Sequence, residues 1–374
     1  MNFQLNDEQQ QLTDSLKRLL DSQYDFESRK KIVASAEGYS PALWNTFAEL
    51  GLLGLPLSEE AGGFGSPAAE MVGVMEALGE ALVVEPFLAS TCLAGRVLDR
   101  AGSEAQKQAV LAGAVEGKIR LALAHQERGS SFELAVATSA KRDGAGWVLD
   151  GEKVVVLGAP MADKLVVSAR TSGKPGDTAG LSLFVVDAKA AGVSMKSYRT
   201  QDSMRAADVT LKGVKVGADA LVGAEGGGFE PLDEALDFAS AMLCAEAVGA
   251  MKFACETTLD YLKTRKQFGV TLGSFQALQH RLVDMNVATE QARSITFLAC
   301  ARLDTGDAAE RRRTVAAARV KIADNARLVG QEAIQLHGGM GMTLEMKVSH
   351  AFKRLTMIGQ SFGDADYYLA RFAA

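Results

Sequence analysis

Apolar residues recur at helical spacing from the start of the chain, with Leu12, Leu16, Leu19 and Leu20 on one face. Asn6 is placed to cap that helix and Gln9 to reach back to the cap. A second helix is predicted from about Pro41 through Trp44 and Phe47 to Leu50, where Gly51 ends it. Helical spacing resumes over 68–82, 88–101 and 104–111. Between about residues 120 and 222 the period drops to two. Strands are predicted at 121–124, 147–150, 153–157, 164–168 and 181–186, separated by turn residues such as Asp143-Gly144-Ala145-Gly146. After the linker Gly223-Ala224-Glu225-Gly226-Gly227-Gly228, helical periodicity returns over 229–266, 275–303, 308–337 and 344–372. The pattern predicts a mainly α protein with a central β-domain: an N-terminal all-α domain over 1–116, a small antiparallel β-domain over 117–224, and a C-terminal four-helix bundle over 225–374.

Composition narrows the chemistry. The chain has 374 residues, 48% hydrophobic and 23% charged, enough to bury a sizeable core. A formal net charge of −6 offers no basic field for nucleic acid or anionic lipid, and Arg311-Arg312-Arg313, following Asp307 and Glu310, reads as a solvated helix face. Cys92, Cys244, Cys255 and Cys300 are far apart, and His125, His280, His337 and His350 form no His-x-x-x-His pair, so no structural metal is expected. The first residues have no positive n-region followed by an apolar run, and no stretch approaches 18 uninterrupted apolar residues. A reduced, cytoplasmic protein is expected.

One stretch stands out. In Arg265-Lys266-Gln267-Phe268-Gly269 a guanidinium fork, an amide and a flat ring lie within four positions beside a glycine, which suits a ligand bearing phosphate and a ring. Basic residues at a helix end also offset the helix dipole, so the stretch alone does not choose between the two.

More of the chain agrees. The domain order, Glu49-Leu50-Gly51-Leu52-Leu53-Gly54-Leu55-Pro56 with Glu59-Glu60-Ala61-Gly62-Gly63, the Arg265–Gly269 stretch, Phe275-Gln276-Ala277-Leu278-Gln279-His280-Arg281 and Gln335-Leu336-His337-Gly338-Gly339-Met340-Gly341 together resemble the acyl-CoA dehydrogenase family. The tail, with Phe352-Lys353-Arg354 and Phe362-Gly363-Asp364, is similar to small subunits of pimeloyl-CoA dehydrogenase type. The resemblance implies an FAD enzyme in which a glutamate removes the α-proton of an acyl-CoA while hydride passes to the flavin, with an electron-transfer acceptor downstream. It also implies a flavin shared between two subunits. The neighbour's contribution to that flavin maps onto Arg265, Gln267, Phe268, Gln335, Gly338 and Gly339.

The rest of the implied site departs from the family. Ala124, His125 and Gln126 stand where a Thr-Glu-Pro stretch is usual, and Val155-Val156-Leu157 where Trp-Ile-Thr flanks the flavin. The base position holds Gln360, which cannot accept a proton, and the Thr position after it holds Phe362. The alternative base position on the first bundle helix holds Ala239, with Ser240 in place of an arginine. Asp364 and Asp366 remain as substitute bases or as partners of a helix dipole. Glu246 reads as an internal ion-pair partner or a base, Asp237 as a residue near the CoA tail or an exposed helix acid, and His337 as a cofactor contact or a packed ring. Every lost group belongs to the half of the site that a subunit uses itself, and every kept group to the half it lends. The expectation is therefore a base-less partner in a heteromeric acyl-CoA dehydrogenase. The alternatives are a homomeric enzyme using Asp364 or Asp366, and a non-catalytic scaffold or acyl-CoA-binding subunit.

Overall fold

The computed structural model describes residues 7–130 and 132–374, and the Asn6–Gln9 capping arrangement lies outside what is described. The chain forms two compact units. One combines the described part of Met1–Lys31 with Pro67–Val83 and Ser240–Ala374; the other combines Ile32–Ser66 with Val84–Ala239. The N-terminal helices are thus divided between the two units.

The first helices are α1 (Asp7–Gln23), α2 (Phe26–Ala34), α3 (Pro41–Glu49) and α4 (Val72–Ala81), then α5 (Arg96–Ala101), which continues a wider helical stretch over Leu88–Gly95. Two short helices follow, α6 (Glu104–Gln106) and α7 (Ala112–Val115). α2 was not foreseen, because its sequence FESRKKIVA places only Arg29 fully inside. α3 begins as expected, with the Ser40 side chain accepting from the Leu43 N–H and Pro41 at the first helical position.

The β-rich unit contains β1 (Leu121–Ala124), β2 (Ser139–Asp143), β3 (Gly146–Leu157), β4 (Lys164–Arg170), β5 (Leu181–Asp187), β6 (Val193–Arg199), β7 (Arg205–Val216) and β8 (Leu221–Val222). They form one sheet in the order β6-β7-β3-β2-β4-β5-β8, with β1 also pairing with β4. Its core includes Trp147, Leu149, Leu165, Val167, Phe184 and Val209, with the Trp147 and Phe184 rings edge to face at 5.4 Å. Two expectations need correction. The strands at 147–150 and 153–157 are one strand, β3, interrupted by register shifts against β7 at Leu149/Gly151 and at Lys153/Val156. The sheet is not purely antiparallel either. β1 and β4 run parallel from Leu121↔Lys164 to Ala124↔Val167, the long chain between them supplying the crossover that parallel pairing requires.

The helical unit is built on α8 (Phe229–Thr264), α9 (Gln276–Leu303) and α10 (Ala308–His337). α10 matches its expected bounds, and Asp307 caps it by accepting from the N–H groups of Ala309 and Glu310. α8 is long and apolar enough to cross a membrane, but 89% of its most apolar stretch is buried in protein, where α4 crosses it through glycines. A Cβ on Gly79 would stand 2.0 Å from the Glu246 carbonyl oxygen, and one on Gly249 would stand 1.9 Å from that of Glu76. Only glycine permits that approach. The fourth bundle position, expected as one helix over 344–372, is two: α11 (Lys347–Ile358) and α12 (Ala365–Ala373). The break has a backbone cause. Phe362 has φ +59 and Gly363 φ +146, neither compatible with continued helix, and Asp364 caps α12 by accepting from the Tyr367 N–H at 2.9 Å.

Glu246 and Arg354 form a buried bidentate pair at 2.6 and 2.7 Å that ties α8 to α11, which gives Glu246 its structural reading. All four cysteines are free and buried, and no group of metal-ligating side chains is found among the described residues.

Candidate functional site

At one end of the bundle α8 finishes, α9 starts and α10 finishes. Just past α8 the chain turns in a minimal hairpin, β9 (Lys266–Gln267) against β10 (Val270–Thr271), with Val270 opposite Gln267. The two turn residues, Phe268 at φ +56 and Gly269 at φ +81, supply the paired left-handed conformations such a turn needs. Glycine takes that conformation freely, whereas a side chain there costs about 1–2 kcal/mol. Phe268 nevertheless occupies it, 88% exposed, edge to face with Phe275 at 6.2 Å. Strain without burial means that folding does not hold this ring in place.

α10 stops because Gly338 adopts φ +59 with ψ −143, a region effectively closed to other residues. A Cβ added at Gly338 or Gly339 would have nothing within 4 Å, so open space lies over both. One residue earlier the His337 ring stacks on Tyr261 of α8, centroids 4.5 Å apart and planes 29° apart. Arg281, near the start of α9, pairs with Glu332 of α10 at 2.5 Å. These contacts bring the three sequence motifs to one end of the bundle, hereafter the hairpin end. Arg265, Gln267, Phe268, Gln335, Gly338 and Gly339 are all exposed there.

The other implied residues lie elsewhere. Gln360 is exposed in the segment between α11 and α12. Beneath that segment the buried Arg319 donates through one nitrogen to the carbonyls of Ile358 (2.7 Å), Ser361 (2.7 Å) and Gly363 (3.3 Å), with its guanidinium over the Tyr368 ring. Tyr368, 2% exposed, joins its hydroxyl to Ser240 Oγ at 2.9 Å and donates to the Phe362 carbonyl at 3.3 Å. Arg319 and His337 are 18 residues apart on α10, about 27 Å along its axis. The Gln360 segment and the hairpin end are therefore remote from each other. Asp364 serves as a helix cap and Asp366 is exposed in the first turn of α12, where it complements the dipole. Asp237 is buried, contrary to its reading as an exposed helix acid, and Ala239 is fully buried.

In the β-rich unit, the 124–126 and 155–157 segments do meet, through the Val154 N–H donating to the Gln126 carbonyl at 2.9 Å. Val155 sits at the register shift with φ +51 and is 42% exposed, a strained conformation for a β-branched residue. Asp208 fastens it, accepting from the Val155 N–H at 3.3 Å and from Tyr198 Oη at 2.9 Å. Burial and that carboxylate push the Tyr198 hydroxyl up to about 12. Behind the strand Lys153 is fully buried against Glu127 (2.7 Å) and Ser168 (3.0 Å), and burial brings its pKa down to about 8 although Glu127 opposes the shift. Burial, then the Lys153 charge, lowers His125 to about 4, so the imidazole is neutral. Where the resemblance places a flavin-flanking stretch, the side chains are Val155, Val156 and Leu157, with Val156 buried in the sheet core.

Sequence reasoning missed Arg319, Tyr368 and the Tyr261–His337 pair. Tyr261 lies one helical turn before Arg265, a spacing that could have signalled a supporting role.

Models of the acyl-CoA dehydrogenase N-terminal, middle and C-terminal domains match residues 6–118, 121–214 and 226–367. The chain belongs to the acyl-CoA dehydrogenase family. It is 32% identical to the acyl-CoA dehydrogenase FadE12 of Mycobacterium tuberculosis over 317 residues, covering 83% of this chain and 81% of that one. Butyryl-CoA dehydrogenase from Megasphaera elsdenii superposes with a TM-score of 0.88 at 25% identity, covering 100% of this chain and 99% of that one. The ChsE4-ChsE5 complex from Mycobacterium tuberculosis gives 0.90 at 26% identity, covering 100% and 98%. The family consists of FAD-dependent oxidoreductases acting on CH–CH bonds, and this acyl-CoA dehydrogenase chain shares that cofactor. The hairpin end fits FAD: an exposed guanidinium for phosphate, an exposed ring, and two glycines over which nothing yet packs. At 155–157 the exposed side chain is the apolar Val155, with Val156 buried, and this stretch fits the flavin ring less well.

Proposed function

We propose that this chain is the base-less subunit of a heteromeric acyl-CoA dehydrogenase, and that its hairpin end completes an FAD site held mainly by a different chain. The observation that carries this reading is the contrast within one bundle. All six residues implied for the neighbour's flavin are exposed together, while the base position holds Gln360 and the α8 position beside the alternative base holds Ser240, covered by Tyr368. Arg265 pairs with a diphosphate, Gln267 and Gln335 supply amide hydrogen bonds, Phe268 offers a stacking face, and Gly338 and Gly339 admit the ligand close to the backbone. When bound, FAD supplies the acceptor for hydride leaving the acyl β-carbon. The proton on the α-carbon needs a base, and the partner chain would provide it.

Further support comes from relatives. The ChsE4-ChsE5 structure is a complex of two named chains, and a caffeyl-CoA reductase-Etf complex subunit of Acetobacterium woodii is 28% identical to this chain. These fit a second dehydrogenase subunit and an electron-transfer acceptor, as does the tail's resemblance to small subunits of pimeloyl-CoA dehydrogenase type. Free, buried thiols fit a reducing cytoplasm. The homomeric alternative is weakened because Asp364 is committed to capping α12. Flavin content decides the matter. The isolated chain should purify with little FAD, and co-expression with its partner should give a yellow complex with less than one flavin per chain. One FAD per protomer in the isolated chain, with acyl-CoA dehydrogenation, would overturn the proposal.

A further inference from the structure

His337 and Tyr261 are not among the six exposed residues, yet each is tied to them through the backbone. Tyr261 accepts the Arg265 N–H on its carbonyl at 2.8 Å, and His337 immediately precedes Gly338. The stack between their rings is therefore a direct side-chain link between the two segments that form the hairpin end. Its protonation state follows from its surroundings. His337 Nδ1 lies 2.8 Å from the Ala333 carbonyl, which can only accept, so Nδ1 carries the hydrogen and Nε2 is left as a bare acceptor. Nε2 is buried and finds no hydrogen-bond partner among the described residues, in a side chain only 2% exposed. What contacts the imidazole among the described residues is neutral: the Tyr261 ring from α8 and the Ala333 carbonyl on α10 itself. Among the described residues, no charged side chain acts on the ring.

We propose that the Tyr261–His337 stack is a positioning pair that registers the Arg265 segment against the Gly338–Gly339 turn, and that protonation of His337 releases this registration. The cofactor consequence rests on the reading of the hairpin end as a shared flavin surface; the registration itself does not. Burial holds the imidazole below its ordinary value of 6.5, with the Ala333 carbonyl opposing. The engaged state thus refuses a proton that the disengaged state takes up. Registration is complete above about pH 6.5 and weakens as pH falls below it.

The test uses His337→Phe, which keeps a ring but cannot titrate, and His337→Ala, which removes the ring. Hydrogen exchange of the isolated chain, corrected for intrinsic rates, reports registration at the Leu272 N–H, which is bonded to the Arg265 carbonyl. Exchange there should be roughly two- to tenfold faster in His337→Ala at pH 7.5, matching the worth of an aromatic pair. The same acceleration should appear in the wild type at pH 5.5 and be absent in His337→Phe at both pH values. Equal exchange in all three proteins would overturn the registration, and acid acceleration in His337→Phe would overturn the role of protonation. Should His337→Ala fail to fold, Tyr261→Leu takes its place with the same two outcomes. A second arm measures FAD release from the complex. If exchange behaves as expected while FAD release is unchanged in both His337→Ala and Arg265→Ala, registration stands and the shared-flavin reading falls. If Arg265→Ala releases FAD and His337→Ala alters neither exchange nor release, the flavin reading stands and this inference falls.

Discussion

At its hairpin end the bundle leaves Arg265, Gln267, Phe268, Gln335, Gly338 and Gly339 exposed around strained backbone, whereas some 27 Å along α10 it buries Arg319 and Ser240 against Tyr368. The two ends use similar residue types for opposite purposes. An arginine faces solvent at 265 and caps three carbonyls at 319; an aromatic projects at 268 and fills space at 368. A helical domain has no need to hold Phe268 in a left-handed turn, and the proposed flavin contact would give that turn a purpose. The closed end is explained by packing alone. Substitutions at the two ends should therefore separate stability from cofactor retention.

The largest effect is expected at the closed end. Tyr368→Ala removes a buried ring together with its hydroxyl bonds to Ser240 and the Phe362 carbonyl, and truncation of a large buried aromatic costs about 3–5 kcal/mol. Urea denaturation should show that loss. A change within about 0.5 kcal/mol would mean that Tyr368 does not hold the closed end together.

Arg265→Ala should behave in reverse. The side chain is exposed, so the urea midpoint should be unmoved, while FAD retention by the complex should fall one to two decades, the equivalent of a charged hydrogen bond of about 1.5–3 kcal/mol. Arg265→Lys should restore part of it, since the planar fork is lost. Unchanged FAD binding in Arg265→Ala would collapse the contrast between the ends.

The open end was largely legible in the sequence because its residues are adjacent in the chain and its glycines and capping signals act locally. Residue for residue, the 308–337 helix was visible from apolar spacing and from Asp307. The closed end was not. Arg319 sits on a helix that otherwise reads as amphipathic, and nothing local says that its guanidinium turns inward to reach carbonyls some 40 residues on. The break before α12 was hidden as well, since apolar spacing carries through 344–372 and Gly363 shares the positive φ with Phe362, a residue that gives no such signal. In the β-rich unit β2, β6, β7 and β8 were all missed. β2 and β6 are mostly exposed and carry little apolar alternation, and β8 is two residues long. β7 does alternate over Ala207, Val209 and Leu211, a signal that was overlooked.

A smaller effect should come from relieving the hairpin. Phe268→Asn places a residue tolerant of left-handed backbone at φ +56 and removes an exposed ring, so the isolated chain should gain up to about 1 kcal/mol in urea denaturation. The complex should meanwhile retain FAD less well. A loss of stability would show that the Phe268–Phe275 contact matters to the fold, and the open end would then be partly structural.

The smallest effect is expected where a large one would ordinarily be sought. A positioned general base contributes roughly a hundredfold to ten-thousandfold in rate, so Gln360→Glu supplies the group that the resemblance implies at that position. In the isolated protein it should do nothing. Gln360 is exposed and Ser240 of α8 lies under Tyr368, so a glutamate there gains no oriented acyl-CoA in near-attack geometry. The check is anaerobic mixing of Gln360→Glu, supplied with excess FAD, with a panel of acyl-CoA thioesters while the flavin absorption band is followed. Absence of bleaching keeps the closed end closed. Rapid bleaching would mean that this chain carries a complete flavin and substrate site, and the division of labour between the two ends would have to be given up.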